Sequence, residues 1–338
     1  MPNHPTARCP RPAAMVALAA LLLAWSGCVA PPSGDSAISE PPPSPVRDYL
    51  SQARLQIEQG LTEQALATLE QAIRDNPRMT EAYLEIAQIH KSRGDYARAE
   101  ERYQQAIQVN PNSFEAHYGL ALMKQLSGRV QASIRVYLRA LALQPKSFEA
   151  NRDLSAAYLQ LGDPRSAMAY ATVATEINPD DQPAWSNLAV AHAMQAQWQD
   201  AIDAYRVAAE IGELADPVLL GLADAHLRLG NYGRAINTLN ALLRRGPSSV
   251  AHERMGYAQF KLRQYERALR HYDTALALDP RDTAALNGKG VCHLTLFVES
   301  KSENPYHKVK GIQAWRQSLT LNPNQTQIVD LLARYGKS

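Results

Sequence analysis

A small-residue and proline pattern repeats along this chain every 34 residues. Pro77, Pro111, Pro145 and Pro179 are each 34 apart, Glu213 takes the next place, and Pro247 follows after another 34. Pro280 comes 33 later and Pro323 43 later. A column of small side chains precedes each of these places by 12 residues: Ala65, Ala99, Ser133, Ala167, Ala201, Ala235, Ala268 and Gly311. An earlier column reads Ala53, Ala87, Ala121, Ser155, Ala189, Ala223, Gly256 and Gly290. A third, five before the proline place, reads Ala72, Ala106, Ala140, Ala174, Ala208, Leu242, Ala275 and Ser318. A chain built this way does not close around a single core. Each unit leaves an apolar face that only a neighbouring unit can cover, so the units must stack.

The residue types suit helices. Alanine is abundant, β-branched runs are few, and the aromatics are 15 Tyr against 4 Phe. Four residues after the second column stand Tyr103, Tyr137, Tyr205, Tyr272 and Trp315, placed to fill the space that small neighbours leave. Gly60, Gly94, Gly128, Gly162 and Gly230 follow the first column by seven, where a left-handed residue ends a helix. Asp95, Asp163 and Asn231 come next and are expected to cap the second helix. Asn76, Asn110, Asn178, Asp279 and Asn322 each precede a proline, which cannot continue that helix. Eight units with these columns in register resemble the tetratricopeptide repeat, a helix–turn–helix of 34 residues. The resemblance covers residues 46–325 and implies an all-α, right-handed superhelical solenoid of about eight repeats. The last unit carries nine extra residues, an insert at about 297–310 with Lys301, Pro305, Tyr306, His307, Lys308 and Lys310. Residues 326–338 read as a capping helix and tail, with Ile328, Leu331, Leu332 and Tyr335 on one side. A solenoid needs such an end, because its last repeat otherwise presents its core to water.

The N-terminus reads as an address. Arg8 and Arg11 precede an unbroken apolar run from Ala13 to Trp25. A membrane-spanning helix needs ~20 apolar residues, and a shorter run fits the core of a secretory signal peptide, residues 1–27. Trp25-Ser26-Gly27-Cys28 resembles a bacterial lipobox, although that family usually has Leu where Trp25 stands. The resemblance implies lipidation at Cys28 and a membrane anchor. Val29, which replaces the Asp that favours inner-membrane retention, implies an outer-membrane location on the periplasmic side of a bacterial envelope. Residues 28–45 hold six prolines interleaved with serines and are expected to form an extended tether.

Charge and motifs narrow the function. The formal net charge is +2, and both excess positive charges lie in the first 27 residues, leaving 33 basic and 33 acidic side chains beyond them. A nucleic-acid partner is not expected, because phosphate binding needs clustered positive charge. Phosphate loops, Gly-x-Ser-x-Gly, His-Glu-x-x-His and Cys-x-x-Cys are missing. Gly288-Lys289-Gly290 lacks the third glycine of a dinucleotide fingerprint and falls inside the small-residue columns. An enzyme, a cofactor, a metal and a small-molecule substrate are therefore not expected. His90, His192, His226 and His293 recur three after the first column. Successive copies of a column stand ~10 Å apart, too far to share one ion with ligands at ~2 Å, so these histidines are read as packing residues. Cys292 is read as a small buried apolar side chain.

What remains is a surface. In the tetratricopeptide family the first helix of each repeat lines the concave face. Carried onto this chain, that places Leu84, Tyr118, Leu122, Arg152, Leu220, Tyr257 and Phe260 in a groove for a protein or peptide partner. The repeated Lys and Asn of carboxylate-clamp relatives are not evident. The architecture is similar to tetratricopeptide lipoproteins that assist assembly of pili and secretion pores. A non-catalytic interaction scaffold follows from the repeats, and a role in pilus or secretion assembly follows from the resemblance. The alternatives are an adaptor of cell-wall enzymes or a secreted repeat protein without the lipid.

Overall fold

The structure, a computed structural model, describes residues 45–301 and 303–336. The signal peptide, Cys28 and most of the tether lie outside the described residues. Seventeen α-helices and no strand are found among the residues described. Helices A and B alternate along the chain. The first three repeats are α1 (Pro45–Glu58) with α2 (Thr62–Asp75), α3 (Thr80–Ser92) with α4 (Tyr96–Val109), and α5 (Phe114–Leu126) with α6 (Val130–Leu143). The next three are α7 (Phe148–Leu161) with α8 (Pro164–Ile177), α9 (Gln182–Met194) with α10 (Trp198–Ile211), and α11 (Asp216–Arg228) with α12 (Tyr232–Leu243). The last two are α13 (Ser249–Lys261) with α14 (Tyr265–Leu278), and α15 (Thr283–Glu299) with α16 (Pro305–Leu321). A final helix, α17 (Thr326–Tyr335), covers the end.

Local chemistry sets these boundaries. Gly60, Gly94, Gly128, Gly162 and Gly230 end helix A in the left-handed conformation, with φ from 73° to 81°. Ala196 and Arg263 take the same place without a glycine, at φ 59° and 58°. The turn is thus imposed by the repeat even where the side chain disfavours it. Asp95 and Asp163 accept the backbone N–H of Arg98 and Ser166, capping α4 and α8. Asn231, expected to do the same, makes no such bond at the start of α12. Ser113, Ser147, Asp181, Ser248 and Asp282 cap the A helices by accepting the amide three residues on. Beyond helix B, the side chains of Asn76, Asn110, Asn178, Asp279 and Asn322 each accept the amide two residues ahead, at 2.9–3.2 Å. That closes a turn across the following proline.

Small side chains hold the pairs together. The three columns are buried throughout, so helices A and B meet close to backbone contact. Trp315, Tyr103, Tyr137, Tyr205 and Tyr272 are the largest fully buried side chains. Three of these aromatics press on a glycine of the following A helix: Tyr103 on Gly119, Tyr205 on Gly221 and Tyr272 on Gly288. A Cβ at any of the three glycines would overlap the ring. Tyr137 faces a different solution, since its hydroxyl donates to Gln125 Oε1 at 2.8 Å.

From α3 to α15, each A helix also touches the A helix of the next repeat, so the A helices form the inner wall of the solenoid. The residues inserted in the last repeat lengthen its helices instead of making a long loop: α15 and α16 have 17 residues each, against 12 to 14 in the helices of the other repeats. Ile328, Leu331, Leu332 and Tyr335 of α17 pack on Leu294 and Trp315.

Buried histidines make this stack acid-sensitive. Burial lowers the pKa of His90, His226, His252 and His271, and holds that of His293 down at about 4. An unfolded imidazole takes its proton near 6.5, so between that value and about 4 the unfolded chain binds more protons than the folded one. Stability is therefore fully present above pH 6.5 and falls as pH drops through the window. Thermal melts should show a lower Tm at pH 5 than at pH 7.5, and His293→Gln should narrow the gap.

A paired substitution tests the ring-on-glycine contact. Gly119→Ala gains up to ~1 kcal/mol of helix propensity, but the overlap with a fully buried ring costs about 1–3 kcal/mol, so it should lower the denaturation midpoint. Gly233 lies in α12 with open space around it, and Gly233→Ala should raise the midpoint by the propensity gain alone.

Candidate functional site

The inner wall opens into a cavity of 740 Å³ spanning the fifth to seventh repeats. Gly221 of α11 and Tyr205 of α10, which press on one another, both line it. Val190 and Met194 from α9, Trp198 from α10, Tyr232 from α12 and Tyr257 from α13 form the walls. Met194 is 48% exposed and Tyr257 38%, which are large fractions for such side chains. Charged groups sit at the rim. Arg254 Nε donates to Asp224 Oδ1 at 2.7 Å, and its guanidinium also pairs with Glu253. Burial pushes the Glu253 carboxyl above its ordinary range, with Arg254 opposing the shift. The Arg228 guanidinium lies 5.7 Å from the centre of the Trp198 ring, and the Lys261 ammonium 5.5 Å from that of Tyr257.

Aromatic walls with a few convergent polar groups suit an apolar or aromatic anchor side chain, while the rim can pair with polar backbone or charge. Among the described residues, no group of three or more His, Cys, Asp or Glu is placed to hold a metal ion. Cys292 is fully buried, its thiol donating to the Tyr265 carbonyl at 3.3 Å, and burial pushes its pKa up to about 12. It is no nucleophile.

Of the residues expected in the groove, only Tyr257 lines this cavity. Leu84 and Leu122 are half-buried against the cluster around Tyr103, and Leu220 against Leu239 and Met255. Tyr118 stacks on Phe114 at 5.8 Å, and its hydroxyl donates to Asp153 of the next repeat at 2.7 Å. Arg152 donates to Asp153 at 2.9 Å and lies over the Phe148 ring. Phe260 is half-buried and packs 5.7 Å from Tyr265, ring to ring. Four of these six lie in the second to fourth repeats, away from the cavity, and Leu220 and Phe260 pack into the sixth and seventh repeats without lining it. Met194, Trp198, Tyr232 and Gly221 were not anticipated. Gly221 carries the one readable sign, since it stands 16 residues after Tyr205 just as Gly119 follows Tyr103.

The family match agrees with this architecture. The tetratricopeptide repeat pattern matches residues 50–97, 84–147, 124–191, 192–255 and 249–282, and the chain belongs to that family. Several solved structures share the fold. A tetratricopeptide repeat protein from Parabacteroides merdae is 17% identical, with a TM-score of 0.51, over 69% of this chain and 93% of that one. The Cut9–Hcn1 hetero-tetramer of the APC/C matches at 15% identity and a TM-score of 0.54. It covers 81% of this chain, which spans 52% of its partner in that comparison. PilW, a type IV pilus biogenesis factor, is 23% identical, with a TM-score of 0.50, over 59% of this chain and 93% of its own. No curated protein matches. Repeats of this family make the chain a protein–protein interaction scaffold.

Different burial separates anchor from wall. Tyr257→Ala should change stability by less than about 1 kcal/mol, because much of its ring is already in water. Phe260→Ala should cost about 2–3 kcal/mol, because it leaves a gap beside Tyr265. Urea denaturation of the two variants checks the order.

Proposed function

We propose that this chain is a scaffold of the bacterial envelope, tethered through a lipid on Cys28, that captures a protein segment in the cavity of its fifth to seventh repeats. The observation that carries the binding site is the exposed aromatic and methionine lining over Tyr205. Large apolar side chains left in water around a concave opening favour a partner that covers them. The tether rests on the sequence: a short apolar run ending in Gly27-Cys28, followed by the proline-rich stretch. Lipid chains hold a protein stably only in combination, as a lipidated N-terminal Cys supplies. The biological role proposed is assistance in assembling a pilus or secretion complex on the periplasmic side of the outer membrane, and the fold shared with PilW supports it.

Two measurements test the reading. Cys28→Ser should move the protein from the membrane fraction to the soluble fraction, and unchanged fractionation would remove the tether from the account. The purified wild-type chain should capture pilus or secretion components from envelope extracts. Tyr257→Ala should weaken that capture about tenfold or more, the loss typical of a central anchor, at an unchanged Tm. Capture of cell-wall enzymes alone would replace the assembly role with the adaptor role.

A further inference from the structure

The seventh repeat holds two histidines in an arrangement that its packing does not require. His252 on α13 and His271 on α14 meet with their Nδ1 atoms 3.1 Å apart and their rings stacked at 5.4 Å. They lie outside the recurring histidine column, and both are half-buried. Two imidazole nitrogens each ~2.05 Å from one ion and separated by that distance subtend about 98° at the metal. An angle near a right angle is the cis bite of a square-planar or octahedral centre, whereas a tetrahedral zinc site spreads its ligands further.

We propose that His252 and His271 chelate one divalent late transition-metal ion through their Nδ1 atoms. Its remaining positions take water or a donor from a bound partner. The ion joins helix A to helix B of the seventh repeat and so clamps that unit. Both imidazoles are neutral at neutral pH because burial disfavours their charged forms; without the ion one Nδ1–H donates to the other Nδ1, and the ion replaces that hydrogen bond by binding both rings as their Nε2–H tautomers. The nearby charge bearing on the pair is the guanidinium of Arg270.

The eighth repeat contains a natural contrast. His293 on α15 and His307 on α16 also approach Nδ1 to Nδ1, at 3.0 Å. However, His293 is buried, Tyr306 packs edge-on against both rings, and Lys310 adds positive charge, while Lys289 is paired with Asp273 at 2.6 Å. Deep burial, a covering aromatic and one ammonium group oppose a cation there. That pair is assigned to structure.

The test is titration of the full chain with Ni²⁺, followed by calorimetry, with Cu²⁺ electron paramagnetic resonance to count nitrogen ligands. Every variant keeps the same N-terminal segment, so background binding at that end cancels. His252→Gln and His271→Gln should each weaken the Ni²⁺ site by about tenfold or more, because one of two protein ligands is lost. His307→Gln should leave it unchanged. Ni²⁺ should also raise the Tm of the wild type and of His307→Gln but of neither other variant. The spectrum of the wild type should report two equatorial nitrogens. Equal Ni²⁺ binding in all variants, or loss only in His307→Gln, would overturn the proposal. If one variant fails to fold, the other single variant and the spectrum decide alone. A wild type that binds no Ni²⁺ would mean that the pair is a hydrogen bond only.

Discussion

The whole molecule rests on how closely helix A can approach helix B. Small side chains in two columns bring the backbones together, and everything larger must go elsewhere. The aromatics of helix B supply that bulk, and they reach across to the next repeat. Tyr103, Tyr205 and Tyr272 each find a glycine there. The same contact therefore does two things: it closes one repeat and fixes the spacing to the next. In a solenoid stability is a sum of such nearest-neighbour terms, so a ring meeting a glycine is the joint on which the repeat depends.

The cavity lies beside one of those joints. At each joint the ring takes the space above the glycine, and the inner residues around it decide whether the wall closes over. Near Gly119, Leu84 and Leu122 pack back over Tyr103. Beside Gly221 the corresponding residues, 102 positions on, are Ser186 and Asp224, which supply far less apolar bulk, and Asp224 and Tyr205 both line the cavity.

The fold was legible in the sequence because it is written eight times. A single proline or alanine says little, but columns in register exclude every architecture except stacked helix pairs. The left-handed turns were legible from Gly60 to Gly230, and the structure adds that Ala196 and Arg263 obey the same turn without the sequence sign. Asn231 shows the reverse case: a residue of the right type whose side chain makes no cap. The groove was less legible. Repeat position tells which way a side chain points, and that identified the inner wall. Depth depends on what neighbours leave unfilled, which involves residues from five helices at once. Hence Tyr257 emerged on the cavity, while Tyr118 turned out tied to Asp153 and Phe260 to Tyr265. Their aromatic character was visible, but their partners, one repeat or one helix away, were not.

The C-terminal repeats answer a problem that the central ones do not have. A terminal unit has one neighbour instead of two, so it loses half of its interface stabilisation. The chain offsets this in three ways. Helices α15 and α16 are longer than the rest, which gives the last pair more mutual contact. Helix α17 then covers Leu294 and Trp315. Finally, a histidine pair bridges helix A to helix B in the eighth repeat, and a second pair does the same in the seventh. A bridge within a repeat acts on that repeat alone, yet in a one-dimensional stack it also protects the interface on either side. The cavity is built partly on α13, which carries His252, Glu253, Arg254 and Tyr257 in succession. Anything that steadies α13 against α14 therefore also steadies one wall of the cavity.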